Sequence, residues 1–285
     1  DASGRVTDVT VAGGRIQVAG KGLDASQTDQ VDLLAQAVQV NAGIWAKEAH
    51  VVTGRNRIAY DGLQVTPLPE TDNQNTADEP GVALDVAAIG GVYANRIYLV
   101  GTEKGLGVNL GGTLSATDSL ALENNGDLHI TQTGTVYSDG TLQMHTTGAV
   151  TNEQTLASGK DAVIRADQGL TNHAVVGAGI SRDGQVNQAG NRTTTLTSDK
   201  AQIVSGGNLD IQANQVSVKE GSIAAQGNAA VQVQQTLEME KGKVSAAGNL
   251  TIQADKLPLK GVIASGGDTA ITTHQSLQNE DSDAS

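Results

Sequence analysis

The chain has 285 residues, 38% of them apolar but only 2% aromatic, with no Phe, no Cys, a net charge of −13 and a pI near 4.6. That charge argues against a nucleic-acid or anionic-membrane partner, since phosphate binding needs clustered Lys and Arg, and the lack of Cys excludes disulfides, thiolate nucleophiles and Cys-held metals. With so few aromatics the core must be thin and aliphatic, and 35 Gly against 4 Pro fit many tight turns between short strands.

Residues 1–25 predict two short strands, Arg5 to Val11 and Arg15 to Val18, around a Gly13-Gly14 turn. Residues 1–20 alternate Val and Gly with charges, unlike a signal peptide, and no run of 18 apolar residues predicts a spanning helix. In residues 29–40, Val31, Leu34, Ala35 and Val38 have helical spacing whereas Val38, Val40 and Ala42 alternate like a strand. The expectation is a short helical turn leading into strands. Ile44-Trp45-Ala46 and Val51-Val52 follow, closed by Gly54-Arg55-Asn56, with Trp45 expected in the core. Residues 66–81 hold Pro67, Pro69 and Pro80 among Glu70, Asp72, Asp78 and Glu79, which predicts a polar surface loop. Strand signals return at Val82–Val86, Val92–Tyr93 and Ile97–Val100, and a Gly-rich turn region runs from Gly101 to Gly112.

From Leu114 a repeat is visible. Leu114–Leu122, Val136–Met144 and Leu156–Ile164 share one frame, and a short phrase then recurs at Ile203, Ile223, Val244 and Ile263, starting 20, 21 and 19 residues apart. Each phrase ends in Gly, and an apolar residue follows four positions later: Ile211, Val231, Ile252, Ile271. Three alternating apolar pulses per unit, such as Leu209/Ile211, Val216/Val218 and Ile223, predict three short strands per coil with one side chain in two facing inward. The fold class expected is therefore all-β, a parallel β-helix of three-strand coils of about 20 residues. About thirteen such coils at the spacing of neighbouring strands give a rod roughly 60 Å long. The step from Val176 to Ile203 is longer, and the surplus falls in a polar insertion near 181–190 with an expected Asp183-Gly184 turn. A leucine-rich repeat lacks its Leu-x-x-Leu-x-Leu phrase here.

Residues 31–47 (VDLLAQAVQVNAGIWAK), 51–56 (VVTGRN) and 81–103 (GVALDVAAIGGVYANRIYLVGTE) resemble the secretion domain of filamentous-haemagglutinin-like exoproteins, which include adhesins and CdiA-like effectors of contact-dependent growth inhibition. Val176-Gly-Ala-Gly-Ile-Ser-Arg-Asp-Gly184 is similar to a phrase of the haemagglutinin repeats that follow in this family. The resemblance implies a right-handed β-helix, export through a dedicated outer-membrane barrel transporter, and a fibre on or beyond the surface of a Gram-negative cell that meets a host or target-cell receptor. The family's Asn-Pro-Asn-Gly and Asn-Pro-Asn-Leu motifs do not occur. The chain thus reads as the C-terminal part of the secretion domain (residues 1–112) followed by repeats (113–285).

For chemistry the sequence offers little. His50, His129, His145, His173 and His274 lack ligand spacing, Gly101–Gly107 lacks the Gly-Lys-Ser/Thr ending of a phosphate loop, and Asp161, Asp167, Asp199 and Asp210 fall at unrelated coil positions. No catalytic, cofactor or metal residue is expected. A polysaccharide lyase or hydrolase, the enzymatic alternative for a β-helix, needs convergent carboxylates in a cleft. Arg96 and Lys104 are read as solvated. Asn191 and Asn249 match the glycosylation sequon, and both are read as chance matches.

Overall fold

The computed structural model describes residues 4–69, 81–173, 181–186, 192–197, 202–279 and 283–284. Every regular element among them is a strand. Three parallel ladders wind into a solenoid of about 11 turns. The first runs through Arg15–Val18, Ala37–Val40, Val82–Val86, Gly107–Leu110, Leu128–Ile130, Ala149–Asn152, Gly169–His173 and Val216–Lys219. Longer strands bend at a corner and serve the other two ladders. Gly43–Thr53, for example, pairs with Gly91–Gly101 first through Gly43–Trp45 and then through Glu48–Thr53.

Strand alternation sends every second side chain into the lumen. Along the second ladder, Ile44, Val92, Leu114, Val136, Leu156, Ile223, Val244 and Ile263 lie in one register column and are fully buried. The recurring sequence phrase is this column, one residue per coil. Each fully buried aliphatic side chain contributes about 1.5–3 kcal/mol of transfer free energy, so small residues suffice when stacked this many times.

The corner between the second and third ladders explains the Gly that ends each phrase. Asn208 Oδ1 accepts the Asn228 N–H at 2.9 Å, Asn228 Oδ1 accepts the Asn249 N–H at 2.8 Å, and Asn249 Oδ1 accepts the Asp268 N–H at 2.9 Å. Each side chain thus satisfies a backbone donor of the next coil at a turn, where no ladder partner exists. The Gly before each Asn leaves room for the Asn below it. A Cβ on Gly227 would stand 2.6 Å from Asn208 Oδ1.

Four expectations change. Residues 29–40 are extended throughout, in Leu23–Ala35 and Ala37–Val40, because inward Val31, Leu33 and Ala35 alternate and parallel pairing with Gly43–Thr53 satisfies the backbone. About 11 turns replace thirteen, which shortens the rod to roughly 50 Å. The reason is that Asn56–Ala59, Val65–Pro67, Ser181–Val186 and Arg192–Thr197 sit in antiparallel sheets outside the coil. Asp183 and Gly184 are strand residues paired with Thr195 and Thr194 rather than a turn. The strand Arg192–Thr197 passes within 8 Å, Cα to Cα, of strands Thr135–Ser138 and Thr113–Asn124. The fourth change concerns Trp45. Ile44 and Ala46 take the lumen positions at 0% and 1% exposure, which turns Trp45 to the outer face. Residues 70–80 of the expected surface loop and 187–190 of the expected insertion lie outside the described residues.

Candidate interaction surface

One column on the outside of the third ladder changes character along the rod. Leu34, Val52 and Val100 share a register position, and in the next coils it is held by Glu123, His145 and Arg165. Val52 is nevertheless 0% exposed. A three-stranded antiparallel sheet, Asp8–Val11, Asn56–Ala59 and Val65–Pro67, lies over this part of the rod. Val11 and Ile58 from the sheet meet Val52 and Val100 in a second apolar core, with Val9, Leu34, Leu63, Val65 and Tyr98 packed at its margin. The first three coils therefore have cores on both sides of one wall.

A polar knot ties the cover to the rod. Gly54 turns the chain out of the coil with φ 103°, and a Cβ there would collide with Thr102 Oγ1. Thr102 Oγ1 donates to Asn56 Oδ1 at 2.6 Å, and the buried Asn56 amide donates to Thr53 O at 3.0 Å. Gln36 Nε2 reaches Glu103 Oε1 at 3.0 Å, while its own carbonyl accepts the Gly54 N–H. The phrases at 51–56 and 99–103 are thus two halves of one joint. The N-terminal strand is held by Arg57 Nε to Asp8 Oδ1 at 3.1 Å and by Arg55 Nε to Ala12 O at 3.2 Å. The hydrogen bond from Arg57, with a second from Thr7, keeps the Asp8 carboxyl below its ordinary range.

Other singled-out residues occupy separate places. Trp45 stacks on Tyr93 of the next coil at 6.2 Å between ring centroids and 13° between planes. Burial pushes the Tyr93 phenol up, opposed by a hydrogen bond with Thr113. Four histidines each face a carboxylate one coil away: His50–Asp32 at 3.0 Å, His129–Glu153 at 3.3 Å, His145–Asp167 at 3.4 Å and His274–Asp255 at 3.3 Å. His173 forms a backbone bridge with Glu220. Asp161 accepts the Asn208 N–H at 2.7 Å and Asp210 accepts from Gln212 at 3.2 Å. Arg96 pairs with Glu48, Lys47 pairs with Asp29 at 2.8 Å, and Lys104 is exposed in a turn. Asn249 belongs to the asparagine stack. Asn191 and Asp199 lie outside the described residues. Among the described residues no three His, Asp or Glu side chains are grouped to hold a metal ion, and no helix is long and apolar enough to cross a membrane.

The second core escaped sequence reading, although its signal is present. Leu33-Leu34, Val51-Val52 and Leu99-Val100 are apolar pairs that break the alternation at one coil position, so both faces of the strand there are buried.

Comparison with known proteins gives this geometry its context. The TPS secretion domain family matches residues 2–130, and the haemagglutinin repeat family matches residues 121–201, 176–238, 204–258 and 230–285. A 16S rRNA endonuclease CdiA of Enterobacter cloacae is 32% identical over 230 residues, 81% of this chain and 6% of that protein. A tRNA nuclease CdiA-2 of Burkholderia pseudomallei is 44% identical over 124 residues, 43% of this chain and 4% of that protein. A toxin CdiA of Yersinia pestis is 45% identical over 118 residues, 40% of this chain and 3% of that protein. No solved structure matches the chain. The chain belongs to the CdiA-like two-partner-secretion exoproteins built from a secretion domain and haemagglutinin repeats. Proteins with this pair of elements are secreted by, or exposed on, Gram-negative bacteria, and the secretion domain implies a transporter as second partner. The chain spans only a few per cent of the curated relatives' length, 3–6% for those named here.

Proposed function

We propose that the chain is a non-catalytic stalk segment of a large exoprotein, carrying a distal activity away from the cell that exports it. The observation that carries this reading is the unbroken stack of three ladders, in which polar corner residues bond to the neighbouring coil instead of converging on a cleft. The relatives' names favour delivery of a toxin over simple adhesion, with a target-cell or host surface receptor as the far partner. The charge of −13 speaks against a nucleic acid as ligand of this segment. The division at residues 112 and 113 separates the recognition part from the repeats in this reading.

The test is to remove one coil, residues 209–228, from the full-length exoprotein. A spacer shortens by one strand spacing, about 4.8 Å, and retains export and target-cell effect. Loss of the effect with export and folding intact would sink the stalk reading, because it would place a specific binding or catalytic group in that coil.

A second reading concerns residues 1–112, where the outer core is found: this part is the module recognised by the transporter. It is supported by the secretion-domain match and by the cover sheet lying within that match. Deleting it from the full-length protein is expected to abolish export, and normal export would end this reading.

A further inference from the structure

We infer that the corner between the second and third ladders, in the first four coils, binds a short uncharged oligosaccharide, a ligand that neither reading above requires. In the first coil residues 26–29 stand at this corner, where the second coil has only Lys47. In the fourth coil Thr117 and Asp118 stand where the third has only Asn95, and the fifth keeps the longer corner with Asp139 and Gly140. The corners of the second and third coils match each other without a shift. Two short corners are thus cut back between protruding neighbours, and the wall on the first coil is pinned by Thr28 Oγ1 donating to Ala25 O at 2.8 Å. The result is a notch two coils high with a volume of about 670 Å³, a size proper to small-ligand sites. Extra residues of this kind re-aim side chains at the strand that carries them.

The polar groups of the notch are largely neutralised among themselves. Lys47 Nζ bonds Asp29 Oδ1 at 2.8 Å, Arg96 pairs with Glu48, and Thr117 Oγ1 donates to Asn95 Oδ1 at 3.1 Å. Asp118 is exposed at the rim. The lone pairs and N–H groups left over on these side chains match hydroxyls, each a donor and an acceptor. A strongly charged ligand would have to break the pairs, and an apolar one would leave the groups unbonded.

Two residues before Lys47 and Asn95, on the same outer face, stand Trp45 and Tyr93, the stacked pair, both partly exposed. Each ring reaches back along its strand over a glycine. A Cβ on Gly43 would stand 2.5 Å from Trp45 Cζ2, and one on Gly91 2.6 Å from Tyr93 Oη. Apart from Tyr137, which is buried, later positions of this column hold nothing larger than Val204. The Trp45 indole N–H is covered and has no acceptor, so packing alone gives no reason for tryptophan here. Pyranose rings offer a face of C–H bonds to aromatic side chains and hydroxyls to planar polar groups, and this corner sets both side by side. The coil spacing of about 4.8 Å is close to the length of one pyranose unit, so a di- or trisaccharide fits one unit to a coil.

Trp45 is the single tryptophan of the chain, so its emission reports on the site. The probes are maltotriose, cellotriose, chitotriose and mannotriose, neutral oligosaccharide released from the surface of an exporting and of a target strain, and chondroitin sulfate as an anionic comparison. At least one neutral probe is expected to give a saturable change, with a Kd of about 1 mM. The two strain-derived probes separate the cells that could supply the ligand, and binding of either supports the site. Arg96→Ala and Asp118→Ala alter exposed groups and keep the tryptophan, and each is expected to weaken binding at least tenfold at an unchanged Tm. Variants that bind within twofold of the parent, or no saturable change with any neutral probe, overturn the site. Binding of chondroitin sulfate alone, abolished by salt, would show charge attraction instead and overturn the proposal.

Discussion

Asn152 Nδ2 donates to Asn172 Oδ1 at 2.9 Å inside the lumen, where both residues are 0% exposed. They occupy successive coils of the first ladder, between Ile130 on one side and Val218 on the other. Asn172 Nδ2 also donates to Ser222 O at 3.1 Å. Replacing one by valine takes one buried hydrogen bond from the other amide, at a cost of about 1–3 kcal/mol. The double replacement is expected to recover much of that loss. Chemical denaturation of the singles and the double checks the non-additivity. A slip of one coil would set an amide against Ile130 or Val218, so the double variant is also expected to populate misregistered forms, visible as doubled resonances.

The asparagine stack gives a second test. Asn228→Ala removes an acceptor for the Asn249 N–H in an exposed turn and is expected to cost about 1 kcal/mol. Gly227→Ala is expected to cost more, because its Cβ enters the space of Asn208 Oδ1. In an Asn208→Ala background the same Gly227→Ala change is expected to cost less. Equal costs in both backgrounds would show that the approach to the Gly207 backbone, 3.0 Å from the same Cβ, rather than to Asn208 selects the glycine.

Glu220 and Lys241 adopt φ of 51° and 53° at matching corners of adjacent coils. The left-handed conformation costs a residue with a Cβ roughly 1–2 kcal/mol. Their mutual ion pair, 3.7 Å apart and largely exposed, returns less than about 1 kcal/mol. Lys241→Gly is therefore expected to stabilise the chain slightly, seen as a raised Tm, and the effect should grow at high salt where the parent's ion pair is screened.

Acid is expected to loosen the cover sheet before the rod. The Asp8 carboxyl is held below the ordinary aspartate value of 3.8, first by its hydrogen bond from Arg57. A depressed folded-state value means stability that is present above 3.8 and lost as pH falls through the folded value. Hydrogen exchange is expected to show Asp8–Val11 losing protection below that pH, while Leu209–Ala213 stays protected. Asp8→Asn should remove this pH dependence.

The solenoid was legible because its core is a repeated column: one Ile, Val or Leu per coil at a fixed step leaves a period that no single globular core produces. Trp45 was misplaced because large aromatics are usually core residues, whereas here Ile44 and Ala46 on either side already fill the inward positions. Helical spacing at Val31, Leu34 and Ala35 misled for a related reason. Leu34 is apolar for the outer core, and a strand with two buried faces loses its simple alternation. The coil number was overestimated because composition does not separate residues in the coil from those in antiparallel sheets beside it. The notch beside Trp45 had no sequence signal, since which corner is shortest shows only once the coils are set in register.

The direction of the inter-coil hydrogen bonds has a mechanical consequence. Because they lie along the rod, tension applied evenly across a whole coil loads every bond of that step together. The same tension applied through the chain at one end peels strands away one bond after another. Such a rod resists being stretched as a column yet unravels from a loose terminus at much lower force. Among the described residues the joint between Gly54, Asn56 and Thr102 has no counterpart in later coils, so peeling from the C-terminal side should pause when it reaches the first three coils.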